Sequence, residues 1–320
     1  MTDFVGHDDN MRAFTAAFSS GRLHHGWILA GPRGLGKAGF ARNAAKILVD
    51  PGGQYEDQIE RGIHPDVITV ERPLKDPPKE GEDIDPAAEK KRSIGVDQIR
   101  ALQNRLVTRP GLSDKRAVII DAADDMERNA ANALLKSLEE PPAGTYFFLI
   151  SHSSARLLPT IRSRCQSLRF EPLSDGDMEA VLRQAFPDMD TESLHMLARA
   201  GAGSPGQAME YAGLEMDALE KDMLAIVQSG DPSNAIRAAM AAKLTTKAAQ
   251  SKYEAFLRRA PQLIAQQAAQ MNAQSVESAL QAWEDANILA ARAIGVSLEK
   301  QSVVLQMGTL LASLQTHKDR

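Results

Sequence analysis

The sequence predicts an α/β domain built on a mostly parallel sheet, followed by two all-helical units. Three observations carry this. Short apolar runs alternate with helix-period segments up to about residue 172, a glycine-rich loop joins the first strand to the following helix, and strand signals stop after residue 173 while helical periodicity continues.

The elements follow in order. WILAG (27–31) is a short apolar run ending at the glycine loop, and KAGFARNAAKILV (37–49) has apolar positions at helical spacing. DVITVERP (66–73) alternates as a strand does, whereas LKDPPKEGEDIDPAAEKKRS (74–93) mixes prolines and charges and predicts an exposed, mobile loop. IGVDQIRALQNRLVTRP (94–110) reads as an amphipathic helix closed by Pro110, AVIID (117–121) as a buried strand, and NAANALLKSLEEPP (129–142) as a helix stopped by paired prolines. TYFFLIS (145–151) is another buried strand, LPTIRSRC (158–165) a short helix or turn, and QSLRFEPL (166–173) the last strand. Ligands of such a sheet lie at the carboxyl ends of its strands. Beyond Leu173, SDGDMEAVLRQAF opens on a capping Ser or Asp, two short helices flank a Gly-Ser-Pro-Gly break, and everything from about 214 is helical in period. There is no solenoid repeat and no low-complexity tract.

Composition narrows the function. With 320 residues, 43% hydrophobic and 25% charged, the chain is long enough for two or three folded domains. A net charge of -5 argues against a dominant basic surface for nucleic acid, and 5% aromatics leave little for base stacking. A single cysteine, Cys165, excludes an internal disulfide framework and a cysteine-rich zinc site, which fits a reducing cytoplasm. No signal-like start and no bilayer-length apolar run occur, so neither export nor a membrane partner is expected. No paired metal-binding carboxylates stand in a polymerase-like setting.

Gly31-Pro32-Arg33-Gly34-Leu35-Gly36-Lys37-Ala38 matches G-x-x-x-x-G-K-[ST] between a strand and a helix, where backbone N–H groups and a helix N-terminus face phosphates. The last position is alanine, so the hydroxyl that would hold magnesium between two phosphates is missing. Two readings stand: a nucleotide site, or a strand-to-helix turn kept for packing. Asp121 ends AVIID where a metal-linked carboxylate belongs, but the next residue, Ala122, replaces the Glu that would polarise the attacking water. Hydrolysis by this chain alone is therefore not expected, and no catalysis of its own is assigned to it. Asp124 and Asp125 fit a helix N-terminus better than a rescue of catalysis.

Ser163-Arg164-Cys165, the triplet SRC, precedes the strand QSLRF. Together with NAANALLKSLEEPPAGTYFFLIS and LLPTIRSRCQSLRF, it makes the chain resemble the clamp-loader branch of the AAA+ ATPases, and in motif order the delta-prime type of bacterial DNA polymerase III subunit. The likeness is close from RLHHGWILAGP through SRC and looser through GAGSPGQAM into the tail.

The resemblance implies a RecA-like P-loop domain (1–172), a helical lid (173–228) and an all-α collar domain (229–320) that builds an oligomer. It implies that Arg164 is an arginine finger entering a neighbouring subunit's ATP site, with a surface ion pair as the plainer reading. Cys165 reads as a buried packing residue. Gln207 stands where active relatives carry a nucleotide-sensing arginine, and it brings no charge to balance triphosphate. Many relatives carry a four-cysteine zinc module after the first helix; residues 50–65 have no cysteine, so no zinc is expected and His64 reads as a turn residue.

The implied function is that of a non-hydrolysing subunit. With ATP-hydrolysing clamp-loader subunits and a delta subunit, it would place the sliding clamp on primed DNA. No cofactor is required on this reading, and ATP binding stays open. The alternatives are a nucleotide-binding, non-hydrolysing regulatory module and an autonomous clamp-loader or DNA-repair ATPase. An independent DNA-binding protein ranks last.

Overall fold

The computed structural model describes residues 6–76, 90–214, 216–295 and 298–315. The runs 27–30, 117–120 and 147–150 are apolar at successive positions, so a sheet built around them must be covered on both faces. The strands β1 (Gly26–Ala30), β2 (Val67–Glu71), β3 (Arg116–Asp121), β4 (Thr145–Ser151) and β5 (Gln166–Arg169) pair in the order β2-β3-β4-β1-β5. Every pair is parallel. The more polar β5 is an edge, as an exposed row of backbone groups requires. This is the RecA-like arrangement, and a helical region follows it.

Alternate residues enter two cores. On one face Ile28, Val118, Ile120, Phe147 and Leu149 pack with α4 (Val96–Leu106) and α5 (Arg128–Glu139) through Ile99, Leu102, Leu134 and Leu138. On the other, Trp27, Leu29, Ile119, Phe148 and Ile150 meet α1 (Asp8–Ser19) and α2 (Lys37–Val49) through Phe14, Phe40, Ala44 and Leu48. The Phe14 ring joins these layers, lying 5.7 Å from Trp27, 6.2 Å from Phe40 and 5.8 Å from Phe148.

The structure departs from the sequence reading at several places. The helix expected to run to Pro110 stops at Leu106. A buried pair explains this: the Arg116 guanidinium donates to the carbonyls of Arg105 (3.0 Å), Thr108 (2.9 Å) and Arg109 (3.0 Å), while Asp66 accepts from the amides of Gly111, Leu112 and Ser113 at 2.6, 2.7 and 2.9 Å. Leaving the helix early lets this turn satisfy two buried charges that lie 3.9 Å apart. Burial alone would raise the Asp66 carboxyl, and the three amide bonds outweigh it and hold it below its ordinary range. The last strand ends at Arg169 rather than 173.

Of the loop expected at 74–93, residues 77–89 lie outside the described residues. Its ends are paired, with Leu74 bridging Lys90 antiparallel and the Lys91 amide donating to Pro73 O at 2.7 Å. Two helices carried no expectation from sequence, α1 and α3 (Glu56–Glu60).

By compactness the chain divides into Met1–Val181 with Ser204–Gly206, and Leu182–Gly203 with Gln207–Arg320. The first unit also contains α6 (Pro159–Arg162); α7 (Asp175–Ala185) crosses the break. In the second, α8 (Thr191–Gly201) is capped by Asp190, whose carboxylate accepts from Ser193 N at 2.9 Å. Then come α9 (Pro205–Gly213), α10 (Asp217–Ser229), α11 (Ala235–Leu244), α12 (Gln250–Ala268), α13 (Ala273–Gly295) and α14 (Lys300–Ser313). Helix α14 buries Val303, Val304, Met307 and Leu311. Helix α13 instead buries small residues, Ala279, Ala282, Ala286 and Ala290, and leaves Leu280, Trp283 and Ile288 exposed.

Arg259, 1% exposed, donates through Nε to Glu220 Oε2 at 2.9 Å and through Nη2 to Gln266 Oε1 at 3.0 Å. Removing one member of such a pair leaves a buried charge unanswered. Arg259→Ala is expected to cost about 3–5 kcal/mol in urea denaturation, and the double change Arg259→Met with Glu220→Leu to recover most of it.

Candidate functional site

The loop Gly31–Ala38 leaves the carboxyl end of β1 and turns into α2. Its backbone needs glycine. Gly31 has φ +155°, and a Cβ there would lie 2.2 Å from the carbonyl oxygen of Phe170. Gly34 and Gly36 have φ +81° and +78°, with Gly36 capping α2. The segment Ser204–Gly206, in the same compact unit, seats on the loop: Ser204 Oγ donates to Arg33 O at 3.1 Å and Gly206 N to Gly34 O at 2.9 Å. Gly206 fits because a Cβ would come 2.9 Å from the Cα of Gly34.

Lys37 is 3% exposed, and its ammonium donates to Gly31 O at 2.7 Å and also to Pro32 O. Burial pulls its pKa from the ordinary 10.5 down to about 8, opposed by Asp121 and Asp124 and assisted by Arg33. Asp121, at the end of β3, has its carboxyl raised by burial, while His152, Lys37 and Arg33 act to lower it. His152 follows β4 and is held toward its neutral form by burial and by the Lys37 charge.

At the two substituted positions, Ala38 packs partly buried against the core beneath α2 and Ala122 is buried, 4% exposed. The helix N-terminus that Asp124 and Asp125 occupy is that of a three-residue 3-10 helix, not of α5. Asp124 accepts from the amides of His152 (3.1 Å) and Ser153 (3.2 Å), while Asp125 pairs with Arg72 at 3.3 Å. Sequence reasoning gave His152 no role and read Ser204 and Gly206 only as part of the Gly-Ser-Pro-Gly break, because nothing local marks any of the three as neighbours of residues 31 to 38.

The SRC triplet follows α6, with Ser163 as its C-cap, and α6 is pinned to the core by Ile161, 0% exposed. Ser163 Oγ donates to Thr160 O at 3.1 Å. Cys165 tucks against the start of β1, where a Cβ on Gly26 would meet its sulfur at 2.9 Å. Burial pushes its thiol up to about 11, so it is a packing group and a poor nucleophile. The Arg164 side chain is one-third exposed and its Nη2 pairs with Glu139 Oε1 at 2.6 Å. Glu139 belongs to the quoted LEEPP stretch but drew no role from the sequence.

Arg164 and the loop stand at opposite ends of β1. Parallel pairing sets Trp27 beside Gln166, so residues 164 and 165 lie at the amino end of β1, whereas Gly31 follows its carboxyl end. Five strand residues at about 3.3 Å each separate them by roughly 16 Å.

In the second unit, Gln207 Nε2 donates to the Tyr211 hydroxyl at 3.0 Å and its Oε1 accepts from Gln262 at 3.3 Å. His64 serves a turn, its Nδ1 accepting from Asp66 N at 3.1 Å. Among the described residues no group of three or more His, Cys, Asp or Glu is placed to hold a metal. No described helix is long and apolar enough to cross a membrane.

Lys37 offers a direct test. Between about pH 8 and 10.5 the unfolded chain keeps a proton on Lys37 that the folded chain releases, so this residue makes the protein more stable as pH rises through that window. Below pH 8 the penalty on its charged form is fully present. Urea denaturation is expected to show this rise in the wild type and its loss in Lys37→Met, with NMR of labelled lysine side chains placing the titration near 8.

A family model described as DNA polymerase III, delta subunit matches residues 6–174. The chain is 37% identical over 199 residues to the DNA polymerase III subunit delta' of Pseudomonas aeruginosa, covering 59% of this chain and 56% of that one. It is 30% identical over 203 residues to subunit delta' of Escherichia coli K12, covering 61% and 56%. It thus matches little more than half the length of these relatives. A solved DNA polymerase III gamma subunit-related protein from Thermotoga maritima aligns over 95% of this chain and 99% of its own, with TM-score 0.45 and 17% identity. The family match takes in more than half of the residues, and it covers both the glycine loop and the SRC triplet: the chain belongs to the DNA polymerase III delta-subunit family.

Proposed function

We propose that this chain is a non-hydrolysing member of a clamp-loader assembly. In a hetero-oligomeric ring with ATP-hydrolysing subunits and a delta subunit, it helps place the sliding clamp on primed DNA and supplies Arg164 in trans to a neighbour's ATP site. The observation that carries this reading is the separation of Arg164 from the chain's own phosphate loop by the length of β1. A guanidinium at that distance cannot stabilise charge on a phosphate held at residues 31–38, and it is exposed enough to reach one held by another subunit. Ala38 and Ala122 support the absence of turnover in this chain. A lid at 173–228 and an oligomerising collar at 229–320 belong to the same proposal. The outward Leu280, Trp283 and Ile288 of α13 suit the packing face that a collar requires.

A nucleotide would find backbone amides and Lys37 at the loop, but no hydroxyl at residue 38 for its magnesium. The intact φ geometry of Gly31, Gly34 and Gly36 favours a second reading, in which ATP binds without being split. Calorimetric titration of the chain with magnesium-ATP, using Lys37→Met as control, separates the two.

The isolated chain is expected to release no phosphate from magnesium-ATP above background; turnover would restore the autonomous ATPase reading. In the complex reconstituted with its partners, Arg164→Ala is expected to lower clamp- and DNA-stimulated hydrolysis, with a loss on the order of 10³-fold at the site it serves. Equal assembly by size-exclusion chromatography is the control, and unchanged hydrolysis would overturn the trans role.

A further inference from the structure

The Arg164 guanidinium is gripped by two anchored helices. Its Nη2 pairs with Glu139 Oε1 at 2.6 Å, and its Nη1 donates to Thr160 O at 2.9 Å and to Ser163 Oγ at 3.4 Å. Glu139 is the last residue of α5, directly after Leu138, which is 1% exposed and whose carbonyl lies 2.9 Å from the His25 ring nitrogen Nε2. Thr160 is held by its neighbour Ile161, buried in the same core as Leu138. The helix end that carries the carboxylate and the carbonyl that holds Arg164 are therefore both anchored against the sheet.

An ion pair as exposed as this one adds little to stability. Its effect lies in restricting a long, many-rotamer side chain before any partner arrives, so that less freedom is lost on delivery. We propose that Glu139 is a positioning residue, holding the Arg164 guanidinium in the orientation in which it meets the neighbouring subunit's ATP. This rests on the trans role of Arg164 proposed above.

The test uses the reconstituted complex with wild type, Glu139→Ala, Glu139→Gln, Arg164→Ala and the double variant Glu139→Ala with Arg164→Ala. Glu139→Ala is expected to lower kcat for clamp- and DNA-stimulated ATP hydrolysis on the order of tenfold. KM for ATP, assembly and the melting temperature of the chain should stay at wild-type values. Glu139→Gln, which keeps an acceptor oxygen but no charge, should fall between. The double variant should be no slower than Arg164→Ala alone, because Glu139 acts through that side chain. If Arg164→Ala slows hydrolysis while Glu139→Ala does not, or raises it, the positioning role is overturned and the finger stands. A further loss in the double variant also overturns it, since Glu139 would then act by another route. If Arg164→Ala itself has no effect, both proposals fall.

Discussion

The placement of β1 between β4 and β5 is the constraint on which the rest depends. Its parallel register sets Gly26 beside Phe147 and Trp27 beside Gln166, and so fixes what lies at each end. At the carboxyl end the chain must turn under the Phe170 carbonyl, which leaves no room for a side chain at Gly31. At the amino end the sulfur of Cys165 occupies the space a side chain at Gly26 would need. Two glycines therefore let one short strand carry a phosphate-type loop at one end and an arginine at the other. Burial of the strand on both faces makes the spacing between them rigid.

Charge is handled differently in the scaffold and at the loop. Within the scaffold, buried charges meet bonded partners: Asp66 meets three amides, Asp231 meets the amides of Ile236 and Arg237, and Glu220 meets Arg259. Such satisfaction is what burial demands. At the loop, Lys37 is held below its ordinary value and Asp121 above its own, with burial the leading cause for both. Lys37 nevertheless bonds the carbonyls of its own loop, so the turn is stable as a turn. That accounts for glycines and a lysine persisting beside Ala38, whether or not a phosphate visits.

Much of the fold was legible because its signals are local. Strands at 117–121 and 145–151 could be read from continuous apolar runs, and the helix after Gly36 from its spacing. The end of α4 was not legible. Pro110 is a sound local stop signal, but Arg116 and Asp66 claim the carbonyls and amides of residues 105 to 113 first. Glu139 was hidden for a similar reason: beside two prolines it reads as the end of a helix, and only packing shows that it meets Arg164. The face that α13 buries was not legible either: Ala279, Ala282, Ala286 and Ala290 are buried, where small side chains allow close helix packing, while Leu280, Trp283 and Ile288 stay exposed.

By itself the sequence determined the order of strands and helices, the presence of a phosphate-type loop, the loss of its hydroxyl at Ala38 and the candidacy of Arg164. Each depends on periodicity or on the chemistry of adjacent residues, which a linear reading carries. Tertiary structure alone decided that β1 lies beside β4 and β5, that Ser204 and Gly206 seat on the loop, and that Glu139 holds Arg164. Those pairings join residues far apart in the chain, and they form only when the buried faces of separate elements have chosen one another.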